Sequence, residues 1–162
     1  MSNRFDFNGK HVLVTGGSQG IGRAVADRML WEGAQVHIWS RHNNSVESVV
    51  EALRKDHHDA ISGEQVDVGN AEDVAQATVR VRERFGDQLD ALVCCAGVFG
   101  PSKSALDYSD KEWDEVLRVN LTGTFLTCRA LVPLMLACGG RVVTMASVIG
   151  RDATNPMAPA YS

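Results

Sequence analysis

A glycine-rich turn constrains the fold of this chain more strongly than any other stretch of its sequence. Residues 15–22 read T-G-G-S-Q-G-I-G, between the apolar run 12–14 and an amphipathic run that extends to residue 30. The glycines at 16, 20 and 22 can adopt positive φ and leave no Cβ in the path of a bound anion. A helix that begins near Gly20 directs its free N–H groups and the positive end of its dipole toward the same point. The stretch therefore predicts a phosphate-binding turn, with a tight strand–helix turn that binds nothing as the alternative.

The composition is typical of a globular protein and argues against several classes of partner. The 162 residues suit one domain, and 44% of them are hydrophobic while 22% are charged. The net charge of −4, with scattered basic residues, argues against nucleic acid or an anionic membrane surface as a partner. The longest apolar runs stop well short of the roughly 18 residues that a membrane span needs. The start of the sequence lacks an apolar signal core, so we expect a cytoplasmic protein.

The four cysteines indicate buried, reduced thiols rather than a metal or redox site. Cys94 and Cys95 are adjacent, Cys128 and Cys138 are ten residues apart, and no pair has the C-x-x-C spacing. The adjacent histidines at 57 and 58 stand between two aspartates, but the pattern favours an exposed polar turn. We therefore expect no metal site.

Apolar runs of strand length alternate with amphipathic runs of helix length along the chain. The predicted strands are residues 11–15, 35–40, 61–66, 91–95 and 141–146. The first two predicted helices are residues 20–31 and 45–55. Asn70 is the predicted cap of a third helix, and a capping box at Ser109 begins a long fourth helix that reaches about residue 137. Gly123 and Pro133 are expected to weaken or bend this fourth helix.

This alternation predicts an α/β fold of one domain, residues 1–162, built on a doubly wound parallel sheet of the Rossmann type. Right-handed crossovers give the strand order 3-2-1-4-5. Ligands of such sheets bind beyond the carboxyl ends of the strands. The segments that this topology brings there are the glycine turn, residues 40–41, residues 67–68, residues 95–97 and Ser147. Together they outline one cleft large enough for a dinucleotide.

Five motifs in sequence order resemble the short-chain dehydrogenase/reductase family, and the resemblance covers the whole chain. Residues 15–22 resemble the family's T-G-x-x-x-G-x-G turn, and residues 67–68 its acidic-apolar pair at the adenine. Residues 94–97 take the place of N-N-A-G, and residues 119–123 resemble V-N-x-x-G. Ser147 and Tyr161, fourteen residues apart, match the catalytic serine and the start of Y-x-x-x-K.

The resemblance implies an oxidoreductase that transfers a hydride between NAD(P)(H) and a secondary alcohol or ketone. It implies three catalytic residues: Tyr161 as the general acid or base, Ser147 as the partner of the substrate oxygen, and Asn120 as the holder of a relay water. The residues that it assigns to the cofactor are Gly16, Ser18, Gln19, Gly20, Ile21, Gly22, Ser40, Arg41, Asp67, Val68, Cys95, Ala96 and Gly97.

Arg41 carries the prediction that NADP is the preferred cofactor. An acidic residue at the end of strand two accepts the 2′-hydroxyl of NAD, whereas an arginine nearby accommodates the 2′-phosphate of NADP. Ser40 and Arg41 occupy this position, and no carboxylate follows until Glu47. NAD is the alternative, because Arg41 could be a solvated surface charge and Gln19 stands where many NADP-dependent members have a basic residue.

Two departures from the family pattern limit what the chain is expected to do. The sequence stops at Ser162, short of the family's lysine and last strands, so we expect a C-terminally truncated chain, inactive or nearly so, from an active reductase. Cysteines replace both asparagines at 94 and 95, and a thiol hydrogen-bonds only weakly. The alternatives are a dinucleotide-binding module without catalysis and a fragment that only associates through exposed faces.

The resemblance also sets the expected partners. These are a small-molecule carbonyl or alcohol substrate, with 3-oxoacyl thioesters or keto sugar acids as the narrower possibilities. A homo-dimer or homo-tetramer is expected of the parent protein, because the fourth helix forms the dimer surface in the family. Trp113 on that helix is either a subunit contact or a core residue.

Overall fold

Five parallel strands form a single sheet in the computed structural model, which describes residues 5–152 and 156–161. The order across the sheet is β3-β2-β1-β4-β5, and every neighbouring pair is parallel. The strands are β1 His11–Thr15, β2 Gln35–Ser40, β3 Ile61–Gln65, β4 Ala91–Cys94 and β5 Arg141–Thr144. The predicted α/β fold and strand order are confirmed.

Six α-helices lie among the described residues, and the central ones cover both faces of the sheet. They are α1 Gly20–Trp31, α2 Asn43–His57, α3 Ala71–Phe85, α4 Asp110–Leu117, α5 Gly123–Leu131 and α6 Val148–Asp152. Apolar residues of α1 and α2 pack in one buried cluster, and those of α3 and α5 pack in another. Within β1, Val12 and Val14 belong to the first cluster and Leu13 to the second. This alternation is what a strand covered on both faces requires.

The helix ends follow signals that are present in the sequence. Gly33 has φ of +93° directly after α1, as expected of a glycine that ends a helix. The Asn70 side chain accepts hydrogen bonds from the N–H groups of Glu72 and Asp73 at the start of α3. Ser109 and Glu112 form the predicted capping box of α4. These residues mark the end of α1 and the starts of α3 and α4.

The predicted fourth helix, residues 110–137, is wrong as a continuous element. It is divided into α4, a π-helical stretch Arg118–Thr122, α5, and a 3-10 turn Val132–Met135 that contains Pro133. Gly123 has a helical φ of −62° and begins α5 directly after the π-helical stretch. A Cβ at Gly123 would lie 2.8 Å from the Val68 side chain, so this glycine lets α5 approach the end of β3 closely.

Smaller differences concern the ends of elements. The second helix, predicted as 45–55, extends over Asn43–His57, and the strands predicted to end at residues 66, 95 and 146 end at Gln65, Cys94 and Thr144. Strand β5 lies at the edge of the described sheet, where Val142 and Val143 are exposed.

The exposed polar turn predicted at residues 57 and 58 is wrong for His57. The side chain of His57 is only 8% exposed, and its ring contacts the ring of Trp31 edge-on with centroids 4.9 Å apart. Its Nε2 lies 3.8 Å from Oδ1 of Asp27. His58 is exposed and has φ of +49°. His57 therefore joins α2 to α1, a long-range contact that a local pattern does not encode.

Candidate functional site: a cleft at the carboxyl ends of the strands

A cleft of about 330 Å³ lies beyond the carboxyl ends of the central strands. Its lining includes every residue that the sequence assigns to the cofactor: Gly16, Ser18, Gln19, Gly20, Ile21, Gly22, Ser40, Arg41, Asp67, Val68, Cys95, Ala96 and Gly97. Sequence reasoning missed six further lining residues: Trp39, His42, Ser45, Val66, Val98 and Val119. Most of these residues are adjacent in sequence to a predicted one. Their position next to the strand ends is the sequence signal that could have identified them.

The glycine turn is shaped by close backbone packing. Gly16 has φ of +67°, and a Cβ there would lie 2.8 Å from the backbone nitrogen of Ala96. Gly22 does not have positive φ. A Cβ at Gly22 would instead be 2.8 Å from the carbonyl carbon of Gly16. Gly20 has φ of +52° with open space around its Cβ position, at the point where α1 begins.

The start of α1 is left free for an anion. Its N-cap residue, Gln19, makes no capping hydrogen bond, and no acidic residue occupies the first turn of this fully described helix. The first N–H groups of a helix need a partner, and its dipole favours negative charge at this end. The uncapped terminus faces the cleft through Gly20, Ile21 and Gly22. This arrangement can hold a phosphate or pyrophosphate.

Two side-chain contacts fix the walls of the cleft relative to each other. The Thr15 hydroxyl oxygen accepts a hydrogen bond of 3.1 Å from the N–H of Ala96, which joins the ends of β1 and β4. The Ser18 and Ser40 hydroxyl oxygens lie 2.6 Å apart, which joins the glycine turn to the end of β2. The Ser18 side chain therefore helps to hold the cleft wall together.

A network of two arginines and two carboxylates lies at the β2–β3 end of the cleft. Asp67 Oδ1 accepts from the N–H of Gly69 at 2.9 Å, and Asp67 Oδ2 accepts from Arg118 Nη1 at 2.9 Å. Arg118 also donates to Glu115, whose other partner is Arg41. Hydrogen bonding from Arg118 lowers the pKa of the Glu115 carboxyl below its ordinary value; partial burial opposes this effect and Arg41 adds to it.

Asn120, a predicted catalytic residue, lies in the π-helical stretch that interrupts the fourth helix. Its side-chain oxygen accepts the N–H of Val98, and its side-chain nitrogen donates to the Val98 carbonyl, both at 2.8 Å. These two bonds hold the amide group against the segment after β4 and leave its second N–H and one lone pair of its oxygen for other partners. The main-chain carbonyl of Asn120 accepts a hydrogen bond of 2.8 Å from the Thr124 hydroxyl.

Ser147 and Tyr161 lie outside the lining of the cleft. The Ser147 hydroxyl oxygen accepts a 3.3 Å hydrogen bond from the N–H of Ile149 at the start of α6. The Tyr161 ring packs on Phe99 with centroids 5.0 Å apart. Asn120 binds Val98, and Tyr161 packs on the next residue, Phe99. The segment after β4 therefore contacts both of these predicted catalytic residues. Among the described residues, no hydrogen bond joins Ser147 to Asn120 or Tyr161.

The cysteines near the cleft are poor nucleophiles. Burial, followed by the neighbouring Cys128 thiol, raises the pKa of Cys94 to about 12. Burial also raises the pKa of Cys95, which lines the cleft. Both thiols therefore stay protonated at neutral pH. Within residues 5–152 and 156–161, no cluster of three metal-ligating side chains occurs, and no helix is long and apolar enough to cross a membrane.

A sequence profile of the family described as short chain dehydrogenase matches residues 10–162. Among characterised proteins, a 3beta-hydroxysteroid dehydrogenase of Mediterraneibacter gnavus is 38% identical over 157 residues, which are 96% of this chain and 55% of the relative. A D-threitol dehydrogenase of Mycolicibacterium smegmatis is 39% identical over 150 residues, 91% of this chain and 56% of the relative. The chain thus spans little more than half the length of these curated relatives.

Solved structures show the same likeness in three dimensions. A short chain dehydrogenase from Escherichia coli CFT073, solved in complex with NADPH, has a TM-score of 0.88 and 28% identity, and the match covers 96% of this chain and 66% of that one. A short-chain dehydrogenase/reductase from Brucella melitensis has a TM-score of 0.88 and 26% identity, with coverage of 98% and 64%. The profile match, the sequence relatives and the shared fold agree: the chain belongs to the short-chain dehydrogenase family of oxidoreductases.

Proposed function

We propose that this chain binds NADP, with NAD as the alternative, and that the whole protein transfers a hydride between that dinucleotide and a secondary alcohol or ketone. One observation carries the proposal: thirteen residues chosen from motif positions line a single cleft at the uncapped start of α1. A likeness to a dehydrogenase that binds NADPH supports it.

The binding roles follow from the chemistry of each wall. The glycine turn and the first N–H groups of α1 would hold the pyrophosphate, which is the group that the free helix terminus suits best. Asp67 and Val68 would flank the adenine, and Ala96 and Gly97 would meet the nicotinamide side through their backbone. The dinucleotide supplies or takes the hydride when it is bound.

The protein's own part of the chemistry is to orient the substrate and move one proton. Ser147 would hydrogen-bond the substrate oxygen, and Tyr161 would give that oxygen its proton during reduction or take it during oxidation. Asn120 would hold a water of the proton relay. A hydroxyl and a phenol are the residue types that such a transfer needs, and Phe99 keeps the Tyr161 ring packed against the protein.

Arg41 supports NADP over NAD. Its side chain is about half exposed, lines the cleft and follows directly after the end of β2. A guanidinium at this position suits a 2′-phosphate, and Ser40, whose hydroxyl pairs with that of Ser18, stands in place of the carboxylate that NAD favours.

The substrate class, assembly and location are part of the same proposal. The names of the two relatives describe a hydroxysteroid and a polyol, and both compounds contain a secondary alcohol group. Exposed apolar residues support a homo-dimer or homo-tetramer. They are Trp113 on α4, Leu121 on the π-helical stretch and Phe125 on α5. Four free cysteines support a reducing, cytoplasmic location.

Calorimetric titration with NADPH and NADH tests the proposal, with two glycine variants as a matched pair. Gly20 and Gly9 have φ of +52° and +68°, and a Cβ at either meets no atom within 4 Å, so Gly20→Ala and Gly9→Ala carry similar backbone strain. Only Gly20 lines the cleft. We expect Gly9→Ala to bind NADPH like the wild type and Gly20→Ala to lose at least about tenfold in affinity.

The opposite results would contradict the proposal. If the folded wild-type chain binds neither dinucleotide, the glycine turn is only a turn. If Gly20→Ala and Gly9→Ala bind NADPH equally well, the dinucleotide occupies another place.

A further inference from the structure

Arg41 stands at the boundary between the dinucleotide cleft and a second, neighbouring cavity. It lines both, whereas Glu115 and Arg118 line only the second. The Arg41 Nη1 atom lies 3.3 Å from Glu115 Oε1, a pair that joins residues 74 positions apart in the chain. The guanidinium proposed to bind a 2′-phosphate is therefore already in contact with a carboxylate.

Glu115 does not depend on Arg41 for its hydrogen bonds. Arg118 Nε donates to Glu115 Oε2 at 2.8 Å, and Arg118 Nη2 donates to Glu115 Oε1 at 3.1 Å. This two-point contact holds the carboxylate even when Arg41 turns away. The Arg41–Glu115 pair itself is long and half exposed on both sides, so it contributes little stability. Arg41 can therefore leave Glu115 and bind a phosphate instead.

The charges of the hydrogen-bonded network that contains Arg41 sum to zero. Arg41 and Arg118 carry two positive charges, and Glu115 and Asp67 carry two negative charges. Glu115 is ionised at neutral pH, and hydrogen bonding from Arg118 lowers its pKa further below the ordinary value. A dianionic 2′-phosphate at Arg41 must therefore compete with a fixed carboxylate for the same guanidinium, whereas the 2′-hydroxyl of NAD has no such competitor.

From this geometry we infer that Glu115 is a specificity-determining residue: its carboxylate competes with the 2′-phosphate of NADP for Arg41 and so weakens the preference for NADP over NAD. The inference rests on the proposed function, because it needs a dinucleotide in the cleft. It goes beyond that function by assigning a role to a residue outside the cleft lining. Arg118 is the residue that positions Glu115 for this competition.

The test measures the affinities of NADPH and NADH, and of the fragments 2′,5′-ADP and 5′-AMP, for wild type, Glu115→Gln and Asp114→Asn. Glutamine keeps the shape of Glu115 and an oxygen for Arg118 but removes the charge. Asp114 is exposed on the same helix and has no ion pair among the residues that the structure describes, so Asp114→Asn removes an equal charge nearby. We expect Glu115→Gln to bind NADPH and 2′,5′-ADP about three- to fivefold more tightly. NADH and 5′-AMP, and all ligands of Asp114→Asn, should stay within about twofold of wild type.

A double variant shows whether the effect passes through Arg41. Arg41→Ala should weaken NADPH binding by about tenfold and leave NADH nearly unchanged. Adding Glu115→Gln to Arg41→Ala should then restore no NADPH affinity. Without Arg41, the Glu115 carboxylate and the 2′-phosphate have no guanidinium to compete for. A gain of the same size with and without Arg41 would mean direct repulsion of the phosphate and would overturn the inference.

The remaining outcomes are also decisive. Weaker NADPH binding by Glu115→Gln would mean that Glu115 holds Arg41 in place, and equal changes for NADPH and NADH would mean a general effect on the cleft; both contradict the inference. If wild type binds no dinucleotide, the proposed function fails first. If wild type binds NADPH and Glu115→Gln behaves like wild type, the proposed function stands and this inference fails alone.

Discussion

The side chain of Asn120 binds both main-chain polar groups of Val98: it accepts a hydrogen bond from the N–H and donates one to the carbonyl, each 2.8 Å long. The contact crosses from the π-helical stretch of the fourth helix to the segment that follows β4. It fixes Gly97 and Val98, two residues of the cleft lining, against the helix. The π-helical stretch is therefore part of the cleft wall, to whose lining it contributes Val119.

Replacing Asn120 by alanine should loosen this wall. Asn120→Ala leaves the N–H and the carbonyl of Val98 without their partners at a half-buried site, and we expect the free energy of unfolding to fall by about 1–3 kcal/mol. Urea unfolding measures that loss. Amide hydrogen exchange should show Val98 exchanging faster than in the wild type.

Asn70→Ala is the matched control for this change. It removes the cap of α3, which should lower the free energy of unfolding by about 1 kcal/mol, and the Asn70 side chain makes its hydrogen bonds within α3, to Glu72 and Asp73. Exchange at Val98 should follow only the global loss in this variant. Equal protection of Val98 in both variants would show that Asn120 does not hold the segment.

Glu64 should make the stability of the fold sensitive to acid. Its carboxylate accepts hydrogen bonds from His37 and Trp39 at 3.1 Å each and is paired with Arg80. Burial raises the pKa of Glu64, but the contacts with His37 and Arg80 outweigh it, so the pKa lies below its ordinary value of 4.5. A carboxyl with a lowered folded pKa stabilises the protein above its unfolded pKa, and this stabilisation is lost as the pH falls through the folded pKa.

The variant Glu64→Gln isolates this contribution. At pH 7 we expect it to be about 1–2 kcal/mol less stable than the wild type, and the difference should shrink as the pH falls below 4.5. Urea unfolding at a series of pH values measures it. Glu83 is exposed on the same helix as Arg80 and forms no ion pair within the described parts of the chain, so Glu83→Gln should stay within about 0.5 kcal/mol of wild type. A constant difference across the acid range would contradict the account.

The two tyrosines of the chain offer a sharp test of the proposed chemistry in the whole protein. Tyr161→Phe removes the proposed proton donor, so we expect kcat for ketone reduction to fall by at least about 100-fold with NADPH affinity unchanged. Tyr108 has a buried hydroxyl with no hydrogen-bond partner among the described residues, and Tyr108→Phe should keep kcat within about twofold. An unaffected kcat in Tyr161→Phe would remove Tyr161 from the catalytic residues.

The parts of the fold that were predictable depend on local signals. The bounds of β1, α1 and β2 match the prediction because a glycine turn, a terminal glycine and continuous apolar runs delimit them. The residues of the cleft were also predictable, since parallel topology brings the carboxyl ends of the central strands together.

The parts that were not predictable depend on contacts between distant residues. The break in the fourth helix accompanies the Asn120–Val98 contact, and the burial of His57 depends on Trp31 in another helix. The Arg41–Glu115 pair joins the end of β2 to α4. No periodicity or motif records such pairs, because their partners are far apart in the sequence.

Amide NMR of the chain during titration with NADPH tests the central claim most directly, because it reports both binding and its place. The account predicts saturable shifts at Gly20, Arg41, Val68 and Ala96, which lie on different walls of the one cleft. The surface between α2 and β3, which includes Gly63, should remain unshifted. Saturable shifts confined to that surface, or no saturable shift at all, would contradict the assignment of the cleft as a dinucleotide site.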